Sequence, residues 1–126
     1  MNYTIRQGED ILLEVPVYNE TTGAAIDLSS AEEVIMTLTA KNITLDKFSV
    51  NTKTGYQSMS VKSGAGNEHI LEAILSRAYI SAYTVGKVQI NVLTEYTDSS
   101  VTLFRDEYIY TDAITVLTGY TKSVEL

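Results

Sequence analysis

The chain has 126 residues, no Cys, a single Pro and a formal net charge of −7. One domain of this length can bury a core without metal or cross-links, and with no Cys both a disulfide framework and thiolate chemistry are excluded. An acidic surface repels polyphosphate, which sets nucleic acid aside as a partner; no apolar run approaches the roughly 20 residues of a membrane span, and the first eleven residues lack the basic-then-apolar pattern of a signal peptide.

Nine Tyr, two Phe and no Trp, with many Thr, make a composition suited to pleated, half-buried strands. Residues 2–6 form a first strand or an arm, followed by a turn around Gly8. From residue 11 to 19, Ile11, Leu13, Val15 and Val17 share one face and Leu12, Glu14, Pro16 and Tyr18 the other. Pro16 lacks a ladder donor, which assigns this strand to a sheet edge or breaks it there. A turn through Gly23 leads to a short extended piece, and Ser29 or Ser30 can cap one helical turn. Residues 33–41 alternate again, with Val34, Met36, Leu38 and Ala40 on one side. A polar link at Asn42 opens a further strand, and residues 57–62 place Met59 and Val61 inward.

Residues 69–83 fit two periods. Ile70, Leu71, Ile74, Leu75 and Ala78 make a helical stripe, whereas Leu71, Ala73 and Leu75 make a strand face; the reading adopted is a strand to about Leu75 and a short helical turn over 76–83. Residues 86–117 read as a long hairpin. Val88, Ile90 and Val92 lie on one face of its first strand, Thr97 to Ser100 form the turn, and Val101, Leu103, Phe104, Tyr108, Ile109, Tyr110, Ile114 and Val116 run through the second strand. Residues 118–126 carry no core pattern and read as an arm. Seven to eight strands with at most one short helix predict a single all-β domain over 1–126, an immunoglobulin-like antiparallel β-sandwich with short terminal arms.

Chemistry is sparse. The one His, His69, has no partner pattern for a metal or for nucleophile activation. Glu9-Asp10, Glu32-Glu33 and Asp106-Glu107 are adjacent in sequence, and adjacent strand residues face opposite sides, so neither pair member can converge with the other on one bond. Asp98 and Asp112 lack a calcium-loop pattern. No catalytic residue, cofactor or metal is therefore predicted, and the chain is read as a non-enzyme. Partner contacts are expected from one or both arms, a sandwich edge and the hairpin tyrosines: Tyr3, Ile5, Tyr96, Tyr108, Tyr110 and Tyr120. Tyr96, Tyr108 and Tyr110 could alternatively stack on sugars, as in a carbohydrate-binding module, or close the ends of the core with their hydroxyls reaching water.

One pattern is familiar in outline. IRQGED precedes an alternating strand, TTGAA leads into IDLSSAEEVIMTL, and GKVQINV precedes a strand bearing FRDE. Gly8, Gly23, Ile26, Asp27, Leu28, Ser29 and Gly86 resemble the small β-sandwich domains of tailed-phage virions, of the kind at the N-terminus of baseplate upper proteins. The resemblance spans roughly residues 5–117. Such baseplate proteins continue into coiled-coil or receptor-binding parts, and this sequence has no heptads. The resemblance thus implies a virion component assembled in the host cytoplasm, either a capsid auxiliary (decoration) protein or a head or tail appendage anchor. It would bind other capsid or tail subunits and could self-associate; a baseplate or tail component is the variant of the same reading.

Overall fold

A computed structural model describes residues 3–6, 10–75, 86–98 and 102–117. Their strands, in chain order, are β1 (Tyr3–Arg6), β2 (Ile11–Pro16), β3 (Glu33–Ala40), β4 (Ile43–Ser49), β5 (Gln57–Ser58), β6 (Ser60–Val61), β7 (Ile70–Leu75), β8 (Gly86–Asp98) and β9 (Thr102–Leu117). They form a six-stranded sheet in the order β1-β9-β8-β3-β4-β5 and a three-stranded sheet in the order β2-β7-β6. β9-β8-β3 facing β2-β7-β6 is the immunoglobulin-like arrangement, with β4 and β5 widening the first sheet as they do in variable-type domains.

The fold class is as expected, with two corrections. Nine strands replace seven to eight, because residues 57–62 split between the sheets. β5 pairs with β4, the Met59 amide still donates to the Ser49 carbonyl at 3.2 Å, and only then does β6 join β7. The sandwich is also not wholly antiparallel: β1 runs parallel to the end of β9, and β5 parallel to β4. The helical turn expected over 76–83, the tip of the hairpin at 99–101 and the arm at 118–126 lie outside the described residues.

The pleat decides what is buried. Inward positions alternate along each strand: Leu13 and Val15 on β2, Val34, Met36 and Leu38 on β3, Leu71, Ala73 and Leu75 on β7, Val88, Ile90 and Val92 on β8, Ile114 and Val116 on β9. All belong to one core that both sheets share, with Phe48 and Leu28 fully enclosed. Burying each large aliphatic or aromatic side chain contributes about 1.5–3 kcal/mol. Leu28 reaches this core from a 3-10 turn, Leu28–Ser30, capped by Asp27 rather than by a serine: its carboxylate accepts the Ser29 amide at 3.0 Å.

Local backbone chemistry sets the turns. β3 and β4 are joined by only Lys41 and Asn42, with φ of 52° and 66°. Positive φ at both positions is the type I′ hairpin turn, whose twist matches the strands. In the β8–β9 ladder, Val88 faces Ile114 while Ile90 faces Tyr110, so β9 carries two extra residues in a bulge. Asp112, at φ 53°, makes that bend and lets Ala113 enter the core.

Candidate interaction surface

The residues expected to meet partners are mostly spent inside the fold. Ile5 is 2% exposed, in the core, and pairs with Val116. Tyr3 is half-buried on the same strand, and its hydroxyl donates to the Glu14 carbonyl. Of the two readings of the N-terminus, a first strand or an arm, the strand holds for residues 3–6, whose main chain pairs with β9 at residues 114–117. Of the two readings of the hairpin tyrosines, the core one holds for Tyr108 and Tyr110, which are half-buried and packed against the core. The register explains it, since they sit opposite Val92 and Ile90 on the inward side. Tyr96 lies on that side too, half-buried and opposite Phe104. Tyr120 lies outside the described residues.

Burial raises the Tyr110 phenol above its ordinary value. The main chain of Tyr18 beside it offsets this in part, and Glu20 adds to it. That main-chain group does not meet hydrogen-bond geometry, and the Tyr110 hydroxyl is buried without a partner. Tyr108 is raised in the same way, first by burial and then by Asp106. His69 sits half-buried against Tyr18, with ring centroids 5.1 Å apart and the Tyr18 hydroxyl 3.2 Å from Nε2. Asp112 is the bulge residue. Among the described residues, no group of three His, Cys, Asp or Glu side chains is placed to hold a metal ion.

The surface that stands out is the outer face of the small sheet. Leu12 and Ile74 are 56% and 63% exposed, and they are direct cross-strand partners. Single exposed aliphatics are ordinary, and Ile43 and Ile109 on the larger sheet are of that kind. Two in register make a continuous apolar strip. Next along the face come Glu14 and Glu72, also opposite each other, a like-charge pairing that is unfavourable by itself. Lys62 relieves it, with Nζ 3.0 Å from the Glu14 carboxylate. That contact is the main cause holding Glu14 below the usual carboxylate range and Lys62 above the usual ammonium range.

Beside this strip the sheet has a gap. Alternate residues of a strand direct their N–H and C=O to opposite sides. The Val17 amide donates to His69 O and the Lys62 amide to Ile70 O, both at 2.8 Å. Leu71, Ala73 and Leu75 therefore address β2, whereas Ile70, Glu72 and Ile74 address β6. β6 begins only at Ser60, opposite Glu72, so among the described residues the main chain of Ile74 has no partner. A cleft of about 310 Å³ opens there, lined by Leu12, Ser58, Met59, Ser60, Glu72, Ala73 and Ile74. Sequence reasoning expected a sandwich edge without locating it, although a signal existed: Leu12 and Ile74, like Ile70, are large aliphatics out of phase with the inward positions of their strands. No family model, curated protein or solved structure matches the chain.

Proposed function

We propose that this protein is a non-enzymatic structural subunit that binds other proteins of a phage virion, as a capsid auxiliary (decoration) protein or as an anchor for a head or tail appendage. The observation that carries the binding role is the in-register exposed pair Leu12 and Ile74 beside an unpaired strand edge. Apolar strips next to open main-chain groups are protein-contact chemistry, and a rigid sandwich presents them with little ordering cost. The virion assignment rests on the resemblance carried by Gly8, Gly23, Ile26, Asp27, Leu28, Ser29 and Gly86. Mass spectrometry of gradient-purified particles from an infected host tests it. The chain is expected in the particles at a copy number matching a shell or tail symmetry. Its absence from particles, or specific glycan binding abolished by Tyr→Ala at Tyr96, Tyr108 or Tyr110, overturns the reading.

A further inference from the structure

We infer that the open edge of β7 takes an extended, basic segment of a partner protein as an added strand. The inference deepens the assembly reading above and rests on its premise that this surface contacts protein.

The other sheet margins carry guards of other kinds. β1 covers β9 only at residues 114–117, and the rest of that margin carries the exposed charges of Arg105, Asp106, Glu107 and Asp112. On β2, the residues addressing the outer side are Leu12, Glu14 and Pro16; Pro16 has no N–H to offer, and the Tyr3 hydroxyl occupies the Glu14 carbonyl. β4 carries the exposed charge of Lys47, and its Asp46 is held by Gln57 at 2.5 Å. Beside Ile74 the guard is missing. The lane occupied by β6 empties where the chain crosses at Met59 to bond Ser49, and the cleft lies in that lane. A strand entering it would meet the Ile74 N–H and C=O with its own main chain. Its alternate side chains would lie on the face beside Leu12 and Ile74.

Charge selects the occupant. The face around the strip carries Glu14, Glu72 and Lys62, which sum to −1, on a chain of net −7. Lys62 is committed to Glu14, and Glu72 is the ionisable residue lining the cleft. A segment alternating aliphatics with Lys or Arg places the aliphatics against Leu12 and Ile74 and a cation by Glu72. A second copy of this chain would bring an equally acidic face and is the poorer fit.

The test uses the full chain and capped synthetic peptides of about ten residues, a usual strand length, one alternating Val with Lys and one alternating Val with Glu. Fluorescence anisotropy should show saturable binding of the Val/Lys peptide at least about tenfold tighter than the Val/Glu peptide, weakening as salt rises. Amide hydrogen exchange at Ile74 should slow at least about tenfold on binding, while Leu71 and Ala73, already paired with β2, change little. Ile74→Pro, which removes an N–H that β2 does not use, should weaken binding about tenfold. If that variant does not melt cooperatively, the exchange result on the unaltered chain decides. No saturable binding, equal binding of the two peptides, or unchanged exchange at Ile74 overturns the inference. So does a dimer that protects Ile74 without peptide, which would assign the edge to a second copy. Particle incorporation is scored separately: peptide binding with no virion incorporation sinks the virion reading and leaves the edge assignment standing, and incorporation equal for Ile74→Pro and the unaltered chain does the reverse.

Discussion

The two sheets share one core and differ in what they turn outward. The six-stranded sheet has long strands, β8 and β9 above all, and its outer face is largely polar: Lys87 bonds Thr115 at 2.9 Å, Gln89 bonds Asn91 at 2.7 Å, and Arg105 meets Glu95 at 3.2 Å. The three-stranded sheet is short, and it exposes an aliphatic pair beside an edge that is unpaired among the described residues. Both inner faces obey the same pleat, so burial does not distinguish the sheets. What distinguishes them is what lies beside their open margins. Among the described residues the larger sheet leaves most of the β9 margin without a strand but lines it with exposed charge, whereas the smaller one leaves Ile74 beside an apolar pair.

The largest test asks whether the core is in fact common. Phe48→Ala on the larger sheet should lose about 3–5 kcal/mol and Leu71→Ala on the smaller about 2–5 kcal/mol in urea melts. A loss under about 1 kcal/mol at Leu71 would mean that the small sheet is a loose cover, and the comparison would break. Tyr110→Phe should act in the opposite direction, adding about 1 kcal/mol, because it removes a buried hydroxyl that has no partner. Burial disfavours the phenolate in the folded state, so Tyr110 adds no pH dependence below about pH 10, and the fold loses stability as the pH rises from there through the folded-state value. Alkaline melts of Tyr110→Phe should thus decline less steeply than those of the unaltered chain; an identical decline removes Tyr110 from the account.

Tyr3→Phe frees the Glu14 carbonyl on the β2 margin and should cost about 1 kcal/mol. Faster amide exchange in β1 would accompany it if the hydroxyl helps tie β1 to the small sheet; unchanged melting would show that β1 is held by β9 alone. Glu14 is held below the ordinary carboxylate range, so its pairing supports the fold at higher pH and is lost as the pH falls below about 4.5 through the folded-state value. Glu14→Gln should flatten that acid slope slightly, as befits a solvent-exposed pair, and an unchanged slope would place the acid sensitivity elsewhere. The smallest effect belongs to the strip. Leu12→Thr and Ile74→Thr keep strand-compatible side chains and should shift stability by no more than about 0.5 kcal/mol. A larger loss would mean that the pair packs for stability and is not a spare surface.

Much of the fold could be read from residue periodicity. The inward positions of β2, β3, β7 and β8 follow from strict alternation, and Pro16 correctly marked β2 as an edge strand. The competing helical stripe over residues 70–78 yielded to the strand reading through Leu75, because β2 supplies the ladder that an isolated segment lacks. The hairpin tyrosines were less legible. Tyr108 and Tyr110 are amphipathic, so residue type alone does not say whether they turn inward; the bulge at Asp112 adds two residues and so keeps them in phase with Ile114 and Val116.

The sequence by itself determined the class of structure: local alternation and turn chemistry act within a few residues, so strands, their apolar faces and the β3–β4 turn are written along the chain. Beyond the hairpins it could not determine which strands become neighbours. Placing Leu12 against Ile74, tying Tyr3 to Glu14 and sending Met59 across to Ser49 are consequences of register between segments far apart in sequence. Periodicity cannot encode such pairings, because a period of two describes one strand and says nothing about the strand beside it.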